Sequence, residues 1–162
     1  MKHEESNLQI ECVAWFRAQY PQYAMLLIHP INEGSGHTSR DRMRQGIHKA
    51  EGAQVGAPDL LLFIPDDITG DSSITSHVLG IEFKTLKGKQ SQEQKDFETM
   101  FLAAGNDYRV IRTFEDFRIL IENWIRCVST RTLENIEEAY KFIESKKAER
   151  EKRKFYKLIG KK

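Results

Sequence analysis

Gly56-Ala57-Pro58-Asp59 opens an apolar run, Leu60-Leu61-Leu62-Phe63-Ile64, and Val78-Leu79-Gly80-Ile81-Glu82-Phe83 forms a second that ends on Lys84. Both runs are short, apolar and bounded by turn-forming residues, the pattern of strands rather than helices. Between them Pro65 to His77, with Asp66, Asp67, Gly70 and Asp71, reads as a surface turn. A connection that reads as a turn does not suit a parallel crossover, which commonly runs through a helix; the two strands are expected to be antiparallel neighbours. Side chains two apart on a strand share a face. Glu82 and Lys84 therefore point together over one face, and Phe83 points into the core.

Outward from this pair, residues 5–18 read as a helix with Leu8, Cys12, Trp15 and Phe16 on one face, ended by Pro21. Met25 to Ile28 is too short for a helix and reads as a strand. A glycine-rich loop follows, through Asn32, Glu33, Gly34 and Gly36. Residues 39–51 form a charged helix with Arg40, Arg42 and Arg44, apolar contacts at Met43 and Ile47, and an end at Gly52. Beyond the lysine strand, Lys87 to Gln90 is a turn and Ser91 an N-cap, with Gln94 completing a capping box. That helix runs to about Ala104, with Phe97, Phe101 and either Leu102 or Ala104 inward. Tyr108 to Ile111 is a strand. Thr113 caps a last core helix whose stripe is Phe117, Leu120, Ile121, Trp124 and Ile125. The fold class is thus α/β: a three-layer core with a mixed sheet of about four strands flanked by helices. From residue 129 the apolar positions thin to Leu133, Ile136, Tyr140, Ile143, Phe155, Tyr156 and Ile159, the spacing of one long amphipathic helix. Two parts follow, a core domain over 1–128 and a charged helical extension over 129–162.

The chain has 162 residues and a formal net charge of +1. Residues 141–162 hold ten Lys or Arg against three Glu, a net +7, which leaves −6 for residues 1–140. The basic extension reads as a solvated helix in preference to a nucleic-acid arm. Cys12 and Cys127 lie in apolar helical patterns, as buried free thiols, and no zinc spacing exists. The N-terminus lacks an apolar signal segment and no run approaches a membrane span. A soluble cytoplasmic protein, without a membrane partner, is expected. Trp15 and Trp124 are core residues. His29, His37 and His48 lack ligand spacing. No Gly-x-Gly-x-x-Gly or Gly-Lys-Ser/Thr loop is present, which argues against Rossmann and P-loop enzymes.

An Asp at the mouth of one strand, with a Glu and a Lys two apart on its neighbour, is the set that magnesium-dependent phosphodiester hydrolysis requires. Magnesium takes hard oxygen ligands and keeps several waters. Asp59 and Glu82 supply one carboxylate oxygen each, and the backbone carbonyl of Phe83 a third ligand. Lys84 would orient or deprotonate the attacking water, or stabilise the pentavalent phosphate. Singly, Asp59 is explained as a turn residue, Glu82 and Lys84 as a solvated strand face, and Gln94 as a cap. Their order and spacing favour a site. Lys87 and Lys89 suit a phosphate-contacting loop, and Arg40, Arg42 and Arg44 the opposite wall of a groove. Asn32 and Glu33 are candidates for the cleft edge.

Asn32-Glu33-Gly34, Gly56-Ala57-Pro58-Asp59-Leu60, Gly80-Ile81-Glu82-Phe83-Lys84, Gly88-Lys89-Gln90-Ser91-Gln92-Glu93-Gln94 and Val110-Ile111-Arg112, in this order, resemble the VRR-NUC domain of the PD-(D/E)XK nuclease superfamily. The resemblance covers residues 5 to 125. It implies a restriction-endonuclease-like core and a Mg²⁺-dependent deoxyribonuclease of the standalone bacterial or phage type, with Mn²⁺ able to substitute. DNA, structured or branched, would be its partner, and a homodimer one of its assemblies. Asp59 and Glu82 would hold the metal, Lys84 would be the catalytic lysine and Gln94 the polar residue of the following helix. A further acid is expected on the first helix, where Glu5 and Glu11 both qualify and Glu11 is favoured. The namesake Val-Arg-Arg appears as Val110-Ile111-Arg112. Two rival readings are a non-cutting nucleic-acid-binding module of the same fold and an oligomeric structural protein that assembles through its C-terminal helix.

Overall fold

A computed structural model describes residues 3–30, 39–64, 78–128 and 130–159. They fall into two compact units, residues 1–128 and 129–162. The first unit is built on a four-stranded sheet in the order β1-β2-β3-β4. Its strands are β1 (Leu27–Ile28), β2 (Leu60–Leu62), β3 (Leu79–Phe83) and β4 (Asp107–Ile111). β2 pairs antiparallel with both β1 and β3, as its connection to β3 predicts, and β3 pairs parallel with β4. β3 is buried at every position. That burial explains its apolar sequence and makes Glu82 conspicuous within it.

Two helices, α1 (Glu4–Gln19) and α4 (Phe114–Arg126), pack against each other over the face that receives Ile81 and Phe83. There Phe16, Phe83 and Phe117 are fully buried, and Trp15 meets Phe117 edge-on with centroids 6.0 Å apart. Trp124 is buried and donates from Nε1 to the Ile64 carbonyl at 2.9 Å. Thr113 caps α4 through the Asp116 amide. The opposite face carries α3 (Gln92–Ala103), whose Phe101 ring sits edge-on to Tyr108 of β4. Gly80 lets these rings approach, since a Cβ there would lie 3.0 Å from Tyr108 and 3.2 Å from Phe101. Helices over both faces of the mixed sheet make the expected three-layer core.

Several local expectations are corrected. Met25 and Leu26 belong to a 3₁₀ turn, Pro21–Leu26, because Pro21 sets a helical φ at its first position. Only Leu27 and Ile28 extend. α2 (Ser39–Ala50) forms and closes at Gly52, whose φ is +100°. Its Met43 and Ile47 are exposed rather than packed, since two apolar residues a turn apart give too narrow a stripe to bury. On α3, neither Leu102 nor Ala104 turns inward. Only the Phe97 and Phe101 side of that helix meets the sheet. Cys12 is buried, but Cys127 caps the end of α4 and is exposed. The loop and turn read at residues 31–38 and 65–77 lie outside the described residues.

The second unit is a single helix, α5 (Thr130–Ile159). Charge pairs three and four residues apart run along it, among them Lys147–Glu144 at 2.6 Å and Arg153–Glu149 at 2.8 Å. Such exposed pairs are screened by water and salt, so they support the helix only weakly. Phe142, Phe155 and Tyr156 are exposed on it. Among the described residues no helix is long and apolar enough to cross a membrane.

Candidate active site

Asp59 is placed by the turn before it. Gly56 adopts a φ of +82°, and a Cβ there would fall 2.2 Å from the Glu93 carbonyl oxygen at the start of α3. Only glycine allows that approach. The fully buried Pro58 then leads into β2. Leu60 pairs with Ile81, so the next position of the antiparallel register sets Asp59 across from Glu82. Asp59 Oδ2 accepts a hydrogen bond from the Phe83 amide at 2.8 Å. Its own carbonyl accepts one from His29 Nδ1 at 2.6 Å, which fixes that ring proton on Nδ1. Gln9 Nε2 lies 3.5 Å from the same carbonyl.

Glu82 is 1% exposed, in the middle of the sheet. Lys84 Nζ and Gln94 Nε2, the latter at 2.5 Å, both donate to its Oε1. Tyr108 Oη approaches Oε2 at 3.5 Å. A buried carboxylate requires such donors, because desolvation penalises its charge. Burial nevertheless pushes the Glu82 carboxyl up to about 7, helped by the negative charge of Asp59 and opposed by Lys84. Asp59 is raised in the same way, by burial first, against the Phe83 amide and the Lys84 and His29 charges. Two partly desolvated carboxylates facing one ammonium leave the site rich in negative charge, the condition in which a further cation is stabilised.

Gln94 serves two purposes. Its Oε1 accepts from the Ser91 amide at 2.9 Å and its amide N donates to Ser91 Oγ at 3.3 Å, completing the capping box. That acceptor role turns Nε2 toward Glu82. The cap and the contact with Glu82 are thus both made by one side chain.

Of the two first-helix acids it is Glu5, not the favoured Glu11, that the fold brings beside Lys84. Glu5 Oε1 accepts from the Thr85 amide at 2.9 Å, and Oε2 lies 3.9 Å from Lys84 Nζ. Glu11 is exposed. It sits six residues on, about 9 Å along the helix and about 120° around it. With Cys12 and Phe16 buried, α1 has only one rotation available, and it turns Glu11 to solvent.

Lys87 and Lys89 are exposed on the turn after β3. Asn32, Glu33 and the side chains of Arg40, Arg42 and Arg44 lie outside the described residues. Sequence reasoning missed Tyr108 and left His29 without a role. Both act through tertiary contacts with residues more than twenty positions away. Among the described residues, no group of three or more His, Cys, Asp or Glu side chains gathers closely enough to hold a metal ion.

No protein-family model matches this chain, and neither does any curated protein. Among solved structures, a chain named "VRR_NUC domain protein" is similar, with a TM-score of 0.60 and 19% identity. The alignment covers 77% of this chain and 90% of that one. The likeness establishes a shared fold.

Proposed function

We propose that this chain is a metal-dependent deoxyribonuclease of the VRR-NUC type within the PD-(D/E)XK nucleases. One observation carries the reading: Asp59 and Glu82 face each other across the sheet, with Lys84 Nζ already on Glu82. The fold shared with a VRR_NUC domain protein supports it.

The donor set fits magnesium. Two carboxylates with a backbone carbonyl leave half an octahedron for water and phosphate, the partial protein ligation this ion favours. Asp59, Glu82 and the Phe83 carbonyl would hold it, and a three-carboxylate cluster is not required. When bound, the ion would neutralise charge on the phosphate and acidify a water. The protein's share is positional. The Phe83 amide fixes Asp59, and Gln94, with Tyr108 close by, orients the Glu82 carboxyl near the end of its strand. Lys84, held by Glu82 and near Glu5, would orient the water and meet the charge that develops on the phosphate.

The test is cleavage of labelled linear duplex, single strand, flap, nick and four-way junction, with Mg²⁺, Mn²⁺ or EDTA, beside Lys84→Ala. Metal-dependent cutting that disappears in the variant is expected. Binding with no cutting under any metal would favour the non-catalytic module. A dimer, which would set two sites at a fixed separation for branched DNA, is checked by light scattering on the same samples.

A further inference from the structure

Beside Lys84 a cavity opens between the first turns of α1 and the turn that follows β3. Its volume is about 400 Å³, within the roughly 300–1,000 Å³ of small-ligand sites. Leu8 and Leu86 supply its apolar lining, Lys84, Lys87 and Arg112 its basic groups, and Glu4 and Glu5 its acids.

The turn is braced from below. The Gly88 amide donates to the Thr85 carbonyl at 3.1 Å. Arg112 Nη1 donates to the carbonyls of both Thr85 and Gly88, the latter at 2.9 Å. The Thr85 amide is held by Glu5. A Cβ on Gly88 would lie 2.9 Å from Thr85 Oγ1, so the brace leaves no space for a side chain there. Leu86 and Lys87 occupy the two central positions of this turn, and Leu86 is 76% exposed. A single exposed leucine is ordinary. A leucine presented on a braced turn, two residues from the lysine assigned to the reacting phosphate, calls for a partner.

We infer that this cavity seats one unpaired nucleotide of the substrate next to the scissile phosphate. Its base lies against Leu86 and Leu8, and its backbone runs on the side of Lys84 and Lys87. The inference rests on the nuclease reading above and narrows its substrate class. Lys84 and Lys87 supply the attraction for the occupant's phosphate, and Leu8 and Leu86 the apolar contact for its base. A base inside a continuous duplex has both faces covered by its neighbours, so only a base out of the stack can meet the leucines. Flaps, single-stranded ends and nucleotides at a branch point provide such bases.

The test uses the full chain and a flap DNA in two forms, intact and abasic at the nucleotide adjoining the cleaved bond. In the wild-type protein, removing the base should raise KM about tenfold, the scale of one lost base contact. Leu86→Ala should raise KM similarly for intact DNA and make it insensitive to base removal. Leu86 is exposed, so its loss leaves the fold in place. An equal abasic penalty in both proteins, or none in either, would overturn the inference. A second readout needs no cleavage. With 2-aminopurine at that nucleotide, binding to Glu82→Gln should change its emission, and the Leu86→Ala double variant should abolish the change. No change on binding overturns the pocket. A change with no cutting by the wild-type protein keeps the pocket and removes the nuclease reading.

Discussion

Glu82 offers the sharpest test of the site's electrostatics, because its carboxyl is buried in the sheet and raised from 4.5 to about 7. The folded protein therefore holds this proton more tightly than the unfolded chain does. Its stabilising contribution is complete below about pH 4.5, declines as pH rises from there to about 7, and is absent above. The difference between these two limits amounts to ~3 kcal/mol, a large fraction of a typical domain's stability. Asp59 shifts the same way and faces Glu82, so the two titrate as a coupled pair with Glu82 as the higher member.

The assay is urea unfolding in EDTA across this pH range. Fluorescence of Trp15 and Trp124 reports the first unit alone. The wild-type protein should lose ~3 kcal/mol between about pH 4.5 and about pH 7.5. Glu82→Gln keeps the shape but cannot ionise, so only the smaller Asp59 share of that slope should remain. At about pH 8, Mg²⁺ at a hundred times its dissociation constant should restore ~2.7 kcal/mol to the wild-type protein by mass action. The recovery should be smaller in the variant. Equal pH slopes in the two proteins would refute the argument, because they would mean that the burial of Glu82 is not what penalises its charge.

Four other outcomes follow from the same geometry. Asp59→Asn and Lys84→Ala should each reduce cleavage at least about 100-fold in single-turnover assays, with circular dichroism unchanged. Gln94→Glu keeps the acceptor of the capping box but sets a carboxylate against Glu82, so cleavage should fall while the helix cap survives. Gln94→Ala should also lower cleavage but remove only the side-chain half of the cap, since the backbone amide of residue 94 still donates to Ser91 Oγ, so urea unfolding should show a loss below the about 1 kcal/mol of a missing N-cap residue. Gly56→Ala should destabilise by at least ~2 kcal/mol in thermal melts, since it demands a positive φ from alanine and sets a Cβ 2.2 Å from the Glu93 carbonyl oxygen. Glu5→Gln should lower cleavage where Glu11→Gln leaves it unaltered, a comparison that checks the rotation of α1.

What the sequence disclosed follows the range of the interactions involved. The two strands and the shared face of Glu82 and Lys84 were legible because alternation along a strand is a local rule. The Ser91 and Gln94 cap was legible for the same reason, since its partners lie three residues apart. Glu5 could not be separated from Glu11, because the choice depends on how α1 rotates against the sheet, and that is decided by Cys12 and Phe16 finding space in a core made elsewhere. Tyr108 was hidden for a related reason. It reaches Glu82 only because β4 runs parallel to β3 with Gly80 opposite Tyr108, a register that no local pattern encodes. Met43, Ile47 and Cys127 were misassigned because periodicity identifies an apolar residue without saying whether a neighbour covers it.

The site also shows why its chemistry depends on so many structural contacts. A carboxylate at the centre of a sheet would ordinarily be replaced by an apolar residue, since burying it stabilises nothing by itself. Here Lys84, Gln94 and Tyr108 converge on Glu82 from β3, α3 and β4, while the Phe83 amide holds Asp59 from the same strand. The donors on Glu82 offset its desolvation only in part, as its raised carboxyl shows. Complete compensation would leave little for a metal to gain, and none would leave the carboxyl protonated at neutral pH. The partial balance keeps Glu82 near ionisation, so that a cation placed between it and Asp59 would supply the missing charge. Added donors to Glu82 should therefore raise the stability of the metal-free protein at about pH 8 and weaken its affinity for Mg²⁺, two effects of opposite sign that calorimetry on one variant would measure together.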